Sequence, residues 1–218
     1  MQKDIRNALR MSRPGSSSKR GLSIALTGGI ACGKSAAAGF LAAKGAAVLD
    51  TDDVAHDLLR KGSPVRDRVV EAFGTEIVEP GGDVDRGALG AVVFADAAAL
   101  KRLNALMHPA IMARVKAWTE ATTREGRDAV VLVPLLFEIG AEHGWDAVVC
   151  VVDSEARALG RLRARGLDDT EARRRMGAQL PAAEKARRAD FVIENSGTLA
   201  DLEQATVAAY NKLREKEK

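Results

Sequence analysis

The sequence predicts an α/β protein of three layers, with a five-stranded parallel sheet between helices. Two observations predict it. Five short apolar runs alternate with alanine- and leucine-rich stretches of helical length. The first run leads at once into Gly28-x4-Gly33-Lys34-Ser35, the spacing of a loop that holds phosphate at a helix start.

Each element has its own warrant. LSIALT (Leu22 to Thr27) is a short apolar run ended by glycines, the pattern of a buried parallel strand. KSAAAGFLAAK (Lys34 to Lys44) reads as a helix, and AAVLD (Ala46 to Asp50) as a second strand, so the loop sits inside a βαβ unit. That context predicts the P-loop NTPase fold. Residues 54–73 read as two helices, with Pro64 opening the second. EPGGD (Glu79 to Asp83) is a turn, and a long alanine- and leucine-rich stretch runs to Arg124. His108-Pro109 interrupts that stretch and is expected to start a helix, with Pro109 at its first position. Ala129 to Val133, Ala147 to Asp153 and Phe191 to Ile193 complete the strands, and residues 198–213 a last helix.

Composition narrows the function. A chain of 218 residues can bury a full core, and no stretch approaches the ~20 apolar residues of a membrane span. Cys32 and Cys150 stand far apart without metal-ligand spacing, which suits a reducing cytoplasm. Residues 1–20 carry six basic side chains against one acid and read as a polar tail, with Met11 an alternative start. Residues 157–188 carry ten basic against four acidic side chains. The rest of the chain is acidic, so the basic segment reads as a local anion site, with no nucleic acid and no membrane as partner. Aromatic residues, at 4%, offer few stacking platforms for a single strand.

The loop residues Gly29, Ile30, Ala31, Cys32, Gly33, Lys34, Ser35 and Ala36 are the candidate ATP contacts. Backbone N–H groups and the helix N-terminus gather an anion there. Lys34 would reach the β- and γ-phosphates and Ser35 a magnesium ion, Mg2+. Cys32 lies beside a lysine at a helix start, where the thiolate is favoured. It is either a redox-sensitive thiol whose oxidation blocks ATP or a small residue that fits the turn. Asp50 and Asp52 follow the second strand, where open α/β sheets bind ligands. Asp52 can take a proton from an acceptor hydroxyl and Asp50 can help hold magnesium, or the pair caps a helix. Arg157, Arg161, Arg163 and Arg165 are either a lid that closes on a triphosphate or a solvated face.

These motifs together make a family resemblance. LTGGIACGKS, VLDTDDVAH, NALMHP, PLLFE, the arginine segment leading to Gln179 and ADFVIENSGT stand in the order found in dephospho-CoA kinases. The resemblance covers Leu22 to Leu213. It implies transfer of the ATP γ-phosphate to the ribose 3′-hydroxyl of dephospho-CoA by a monomer or weak homo-oligomer. It also implies a nucleotide core, a helical CoA-binding insertion near residues 80–125 and a lid near 155–188. Asp52 matches the family's presumed base, Lys34 and Ser35 its phosphate and metal contacts, and Arg161 its lid arginine, although one residue is missing just after Arg165. The family's loop commonly reads GSGKST, from which Ala31, Cys32 and Ala36 depart.

His108, Pro134, Leu135 and Glu138 join Asp52 as candidate acceptor contacts. Glu138 is either a ligand contact or the partner of a basic residue. Asn195 either stands near the adenine or belongs to a plain turn with Gly197. Two other readings remain: a kinase for shikimate, gluconate or a nucleoside monophosphate, and a non-catalytic nucleotide sensor. The insertion is long for a compact metabolite pocket, and a sensor would leave Asp50 and Asp52 idle.

Overall fold

The computed structural model describes residues 20–216, so the expected tail, Arg20 apart, lies outside the described residues. Five strands form one sheet: β1 (Ser23–Gly28), β2 (Ala47–Asp50), β3 (Ala129–Leu132), β4 (Ala147–Val152) and β5 (Phe191–Glu194), in the order β2-β3-β1-β4-β5. Every predicted strand is present to within one residue at either end. β1 is central and runs parallel to β3, with Ser23 opposite Ala129, and to β4, with Ile24 opposite Ala147. Its six residues are all buried, because both neighbours and both faces are covered. β5 runs parallel to β4 at the edge, and there only Ile193 is buried.

The chain divides into two compact units, residues 20–49 with 119–216, and Asp50–Trp118. In the first, helix α1 (Lys34–Ala43) and the C-terminal helix, Leu199–Lys216, cover one sheet face. Ala37, Ala38 and Leu41 meet Leu202, Tyr210 and Leu213 over Ile24, Leu26, Val130, Leu132, Val149 and Val151. Burying each large apolar side chain contributes about 1.5–3 kcal/mol, so this face outweighs any surface ion pair of the molecule.

A buried carboxylate ties this core together. Asp128, just before β3, accepts from the Leu22 N–H at 2.8 Å and from the Tyr210 hydroxyl at 2.5 Å. Arg214 stands 3.5 Å from the same carboxylate. Burial, and then the Asp128 carboxylate, push the Tyr210 phenol up to about 12. One side chain thus joins the entry of β1, the entry of β3 and the last helix.

The second unit contains α2 (Thr51–Leu58), α3 (Pro64–Phe73) and α4 (Arg86–Ala95). Pro64 opens α3 as the sequence predicts, where its missing N–H is not needed. Residues 79–83 make a turn under a Val78–Val84 bridge, with Gly82 at φ 95. Asp85 caps α4 by accepting from Gly87 and Ala88.

Pro109 corrects the sequence reading. It does not start a helix but lies inside α5 (Ala97–Arg124), a helix of 28 residues. Proline there removes the bond to the Ala105 carbonyl. Ala105 and Pro109 are both exposed, so water can satisfy that carbonyl, while buried Met107, Met112 and Val115 carry the helix across.

Replacing Tyr210 by Phe removes a hydrogen bond to a buried charge while keeping the ring. Urea unfolding should show Tyr210→Phe destabilised by about 1.5–3 kcal/mol at unchanged m-value. Stability equal to wild type would remove Asp128 from its anchoring role.

Candidate active site

The loop between β1 and α1 is shaped by close approaches. Gly28 has φ 147, and a Cβ there would lie 2.1 Å from the Val151 carbonyl oxygen. Only glycine fits. Gly33 caps α1 at φ 105, and its missing Cβ leaves room for Asn195. Ala31 also has positive φ, 55, at a cost of about 1–2 kcal/mol for a residue with a Cβ. Its methyl group offsets this by packing with Ile30 into the cluster of Leu159, Leu162 and Ala172. Lys34 folds back over the loop, its Nζ donating to Gly29 O at 2.7 Å and Gly28 O at 3.2 Å. Ser35 is exposed in the first turn of α1 and Ala36 half-buried behind it.

Cys32 is buried, with Sγ 3.9 Å from Lys34 Nζ. The second cysteine, Cys150, is buried too, and burial, together with Cys32, pushes its thiol up to about 11.

The basic segment folds into α6 (Glu155–Ala164), α7 (Asp169–Gly177) and α8 (Ala182–Arg188). Six of its arginines fall into two groups. Arg161 donates from Nε to the Ala31 carbonyl at 2.6 Å and pairs with Asp153, whose side chain is fully buried. Arg157 stands 3.3 Å from the same carboxylate and donates to the carbonyls of Ser196 and Gly197. Arg163, Arg173, Arg174 and Arg175 instead form exposed pairs with Asp169, Glu155 and Glu171. Two paired guanidinium groups hold the Glu171 carboxyl down at about 2. The loop and these helices line an open cavity of about 540 Å³, with Gly29, Ile30, Cys32, Asp153, Arg173 and Gln179 among its walls.

PLLFE leaves the end of β3. The carboxylate of Glu138 meets Lys185 Nζ at 2.8 Å and accepts from the Leu180 N–H at 2.9 Å. Lys185 is fully buried and also donates to the Pro134 carbonyl at 2.7 Å. Of the two alternatives for Glu138, the structure shows the partner of a basic residue. Leu135 is 38% exposed, the outward-facing residue of the turn.

Asp50, Asp52 and His108 lie in the unit Asp50–Trp118. Asp50 accepts from the Asp52 N–H at 2.9 Å and so caps α2; its capping role is real. Asp52 is exposed in the first turn of that helix. His108 is half-buried mid-way along α5, and burial holds its imidazole below the usual histidine range.

Sequence reasoning missed Asp153 and Lys185. Asp153 carried a usable signal, an acid at the end of a strand, the same one that marks Asp50. Lys185 carried none, being one more charge in AEKARR.

The family model described as dephospho-CoA kinase matches residues 22–201. The chain belongs to the dephospho-CoA kinase family. A dephospho-CoA kinase of Symbiobacterium thermophilum is 45% identical over 188 residues, 85% of this chain and 78% of its own. One of Geobacillus kaustophilus is 42% identical over 86% of this chain and 94% of its own. Among solved structures, TT1252 of Thermus thermophilus has TM-score 0.73 at 36% identity, covering 89% of this chain and 99% of its own. A dephospho-CoA kinase of Campylobacter jejuni has TM-score 0.69 at 26% identity, covering 90% of this chain and 98% of its own. A shikimate kinase of Acinetobacter baumannii, at 16% identity and TM-score 0.52, shares the fold alone. Membership makes the chain an ATP-dependent phosphotransferase with dephospho-CoA kinase activity.

The Lys185–Glu138 pair gives a stability prediction. Lys185→Met should destabilise the protein by about 3–5 kcal/mol in urea unfolding, because a largely buried carboxylate loses its cation. Adding Glu138→Leu should restore much of that loss. A single variant as stable as wild type would show that the pair does not hold α8 to the end of β3.

Proposed function

We propose that the chain transfers the γ-phosphate of ATP in line to the ribose 3′-hydroxyl of dephospho-CoA, giving coenzyme A and ADP. The observation that carries the reading is the loop. Gly28 and Gly33 take conformations that suit glycine, Lys34 lies over the loop, and a helix of ten residues starts at its end. Such a helix start favours negative charge through its N–H groups and dipole. Residues 29–36 hold the phosphates, and the Lys34 ammonium moves from the loop carbonyls to the transferring group.

Asp52 is the general base. It sits in the first turn of α2, just beyond β2, its main chain fixed by the Asp50 carboxylate. Arg161, oriented by Asp153, neutralises charge on the phosphoryl group. His108, whose imidazole burial holds below the usual histidine range, is a contact for the acceptor, as are Pro134 and Leu135, while Glu138 holds Lys185.

Magnesium fits this chemistry. Among the described residues no group of three or more His, Cys, Asp or Glu could hold a metal ion alone. A magnesium ion that takes most of its oxygens from phosphate and water needs only one or two protein groups. Ser35, through its hydroxyl, and Asp50, through the carboxylate oxygen not used in capping, would hold it. Bound there, the ion would offset charge on the β- and γ-phosphates. The substrates are small molecules, met in the cytoplasm by a monomer or weak homo-oligomer, with no nucleic acid or membrane. Among the described residues no helix is long and apolar enough to cross a membrane.

Two measurements test the proposal. Proton-coupled phosphorus NMR of the product should place the new monoester on the ribose 3′ carbon; a 2′ ester would overturn the assigned acceptor atom. Asp52→Asn should keep ATP affinity within a few-fold and lower turnover by about a hundredfold or more. Lys34→Ala should lose both. Near-normal turnover of Asp52→Asn would remove the base.

A further inference from the structure

Asn195 directly follows β5. Its backbone N–H donates to the Val152 carbonyl at 2.8 Å, so the parallel ladder fixes where its side chain begins. The residue is buried, and its Nδ2 donates to the Cys32 carbonyl at 2.9 Å. A carbonyl can only accept, which requires the amide nitrogen on that side. The approach is close: a Cβ on Gly33 would stand 2.5 Å from Nδ2. Glycine at 33 and asparagine at 195 therefore depend on each other.

The consequence lies in the peptide plane. In a trans peptide the C=O and the following N–H point in opposite directions. Holding the Cys32 carbonyl towards Asn195 turns the Gly33 N–H away from it. The preceding carbonyl, that of Ala31, is held by Arg161 Nε at 2.6 Å. Two successive peptide planes of the loop are thus set by side chains reaching in from elsewhere in the unit. Asparagine suits the task because it donates without charge. A carboxylate would repel both the Cys32 carbonyl and a phosphate.

We infer that Asn195 is a positioning residue for the phosphate loop, acting through the Cys32–Gly33 peptide to set affinity for the polyphosphate of ATP. This role differs from contact with the adenine. It rests on the reading of residues 29–36 as the site of the ATP phosphates.

The test compares Asn195→Ala, Asn195→Asp and Asn195→Ser with wild type in steady-state kinetics, with thermal unfolding measured without ATP. Asn195→Asp keeps the shape and loses the donor; Asn195→Ser keeps a short donor. The Ala and Asp variants should raise KM for ATP about tenfold, while KM for dephospho-CoA and kcat stay within about twofold. The Ser variant should recover part of the loss. If the variants melt earlier but keep the wild-type KM for ATP, or if both KM values rise equally, the inference is overturned. Should the Ala variant fail to fold, the Asp and Ser variants decide it on the same readings. Lys34→Ala separates the two layers. Retained ATP affinity in Lys34→Ala overturns the loop reading, whereas its loss, with the Asn195 variants unaffected, overturns only this role of Asn195.

Discussion

The contact on which the site depends is the approach of Gly28 to Val151. β1 and β4 pair as far as Gly28, the last residue of β1, which stands opposite Val151, and the chain must leave the sheet there without a side chain. Everything downstream inherits that exit. It sets the loop under α6, aims α1 back across the sheet and leaves Gly29, Ile30 and Cys32 lining the cavity. A methyl group on Gly28 would displace β4, and with it Asp153, which orients the two arginines nearest the loop.

Elsewhere in the sheet, hydrogen-bonded polar groups do what apolar packing cannot, which is to fix direction. Asp128 joins β1 and β3 to the last helix, while Asp146 accepts from the Ser23 N–H and hydroxyl at 2.8 Å. Asp190 accepts from Val148 N–H at 2.7 Å and sets the register of β5. Lys185 ties α8 to the turn after β3. Each is worth little net stability against an apolar replacement, yet removal of one partner is costly. The sheet could form on its apolar runs alone; α8 acquires its position from Lys185, and the loop and α6 are joined through Arg161 and Asp153.

The sheet was legible because every strand is a short apolar run and the loop spacing marks the first crossover. The helix through Pro109 was not. Proline ends a helix or not according to whether the freed carbonyl meets water, which depends on the exposure of Ala105. Glu138 was ambiguous because its partner, Lys185, is far away in sequence and looks like any other lysine in a basic run. The arginines were legible as a positive segment, but not as two groups: the i,i+3 and i,i+4 spacings of Glu171 to Arg174 and Arg175 and of Asp153 to Arg157 carried a signal, whereas only the fold brings Glu155 to Arg173. Ala31 shows the limit of motif reading: the departure from glycine costs backbone energy and returns a contact with the cluster of Leu159, Leu162 and Ala172.

The most direct measurement is a competition for the phosphate. Purified protein, magnesium and ATP are mixed with dephospho-CoA, shikimate, gluconate and AMP, and the products are weighed by mass spectrometry. Gain of one phosphate on dephospho-CoA alone, with ATP falling only when dephospho-CoA is present, is the predicted result. Phosphate on another acceptor, or ATP bound and never consumed, would contradict it.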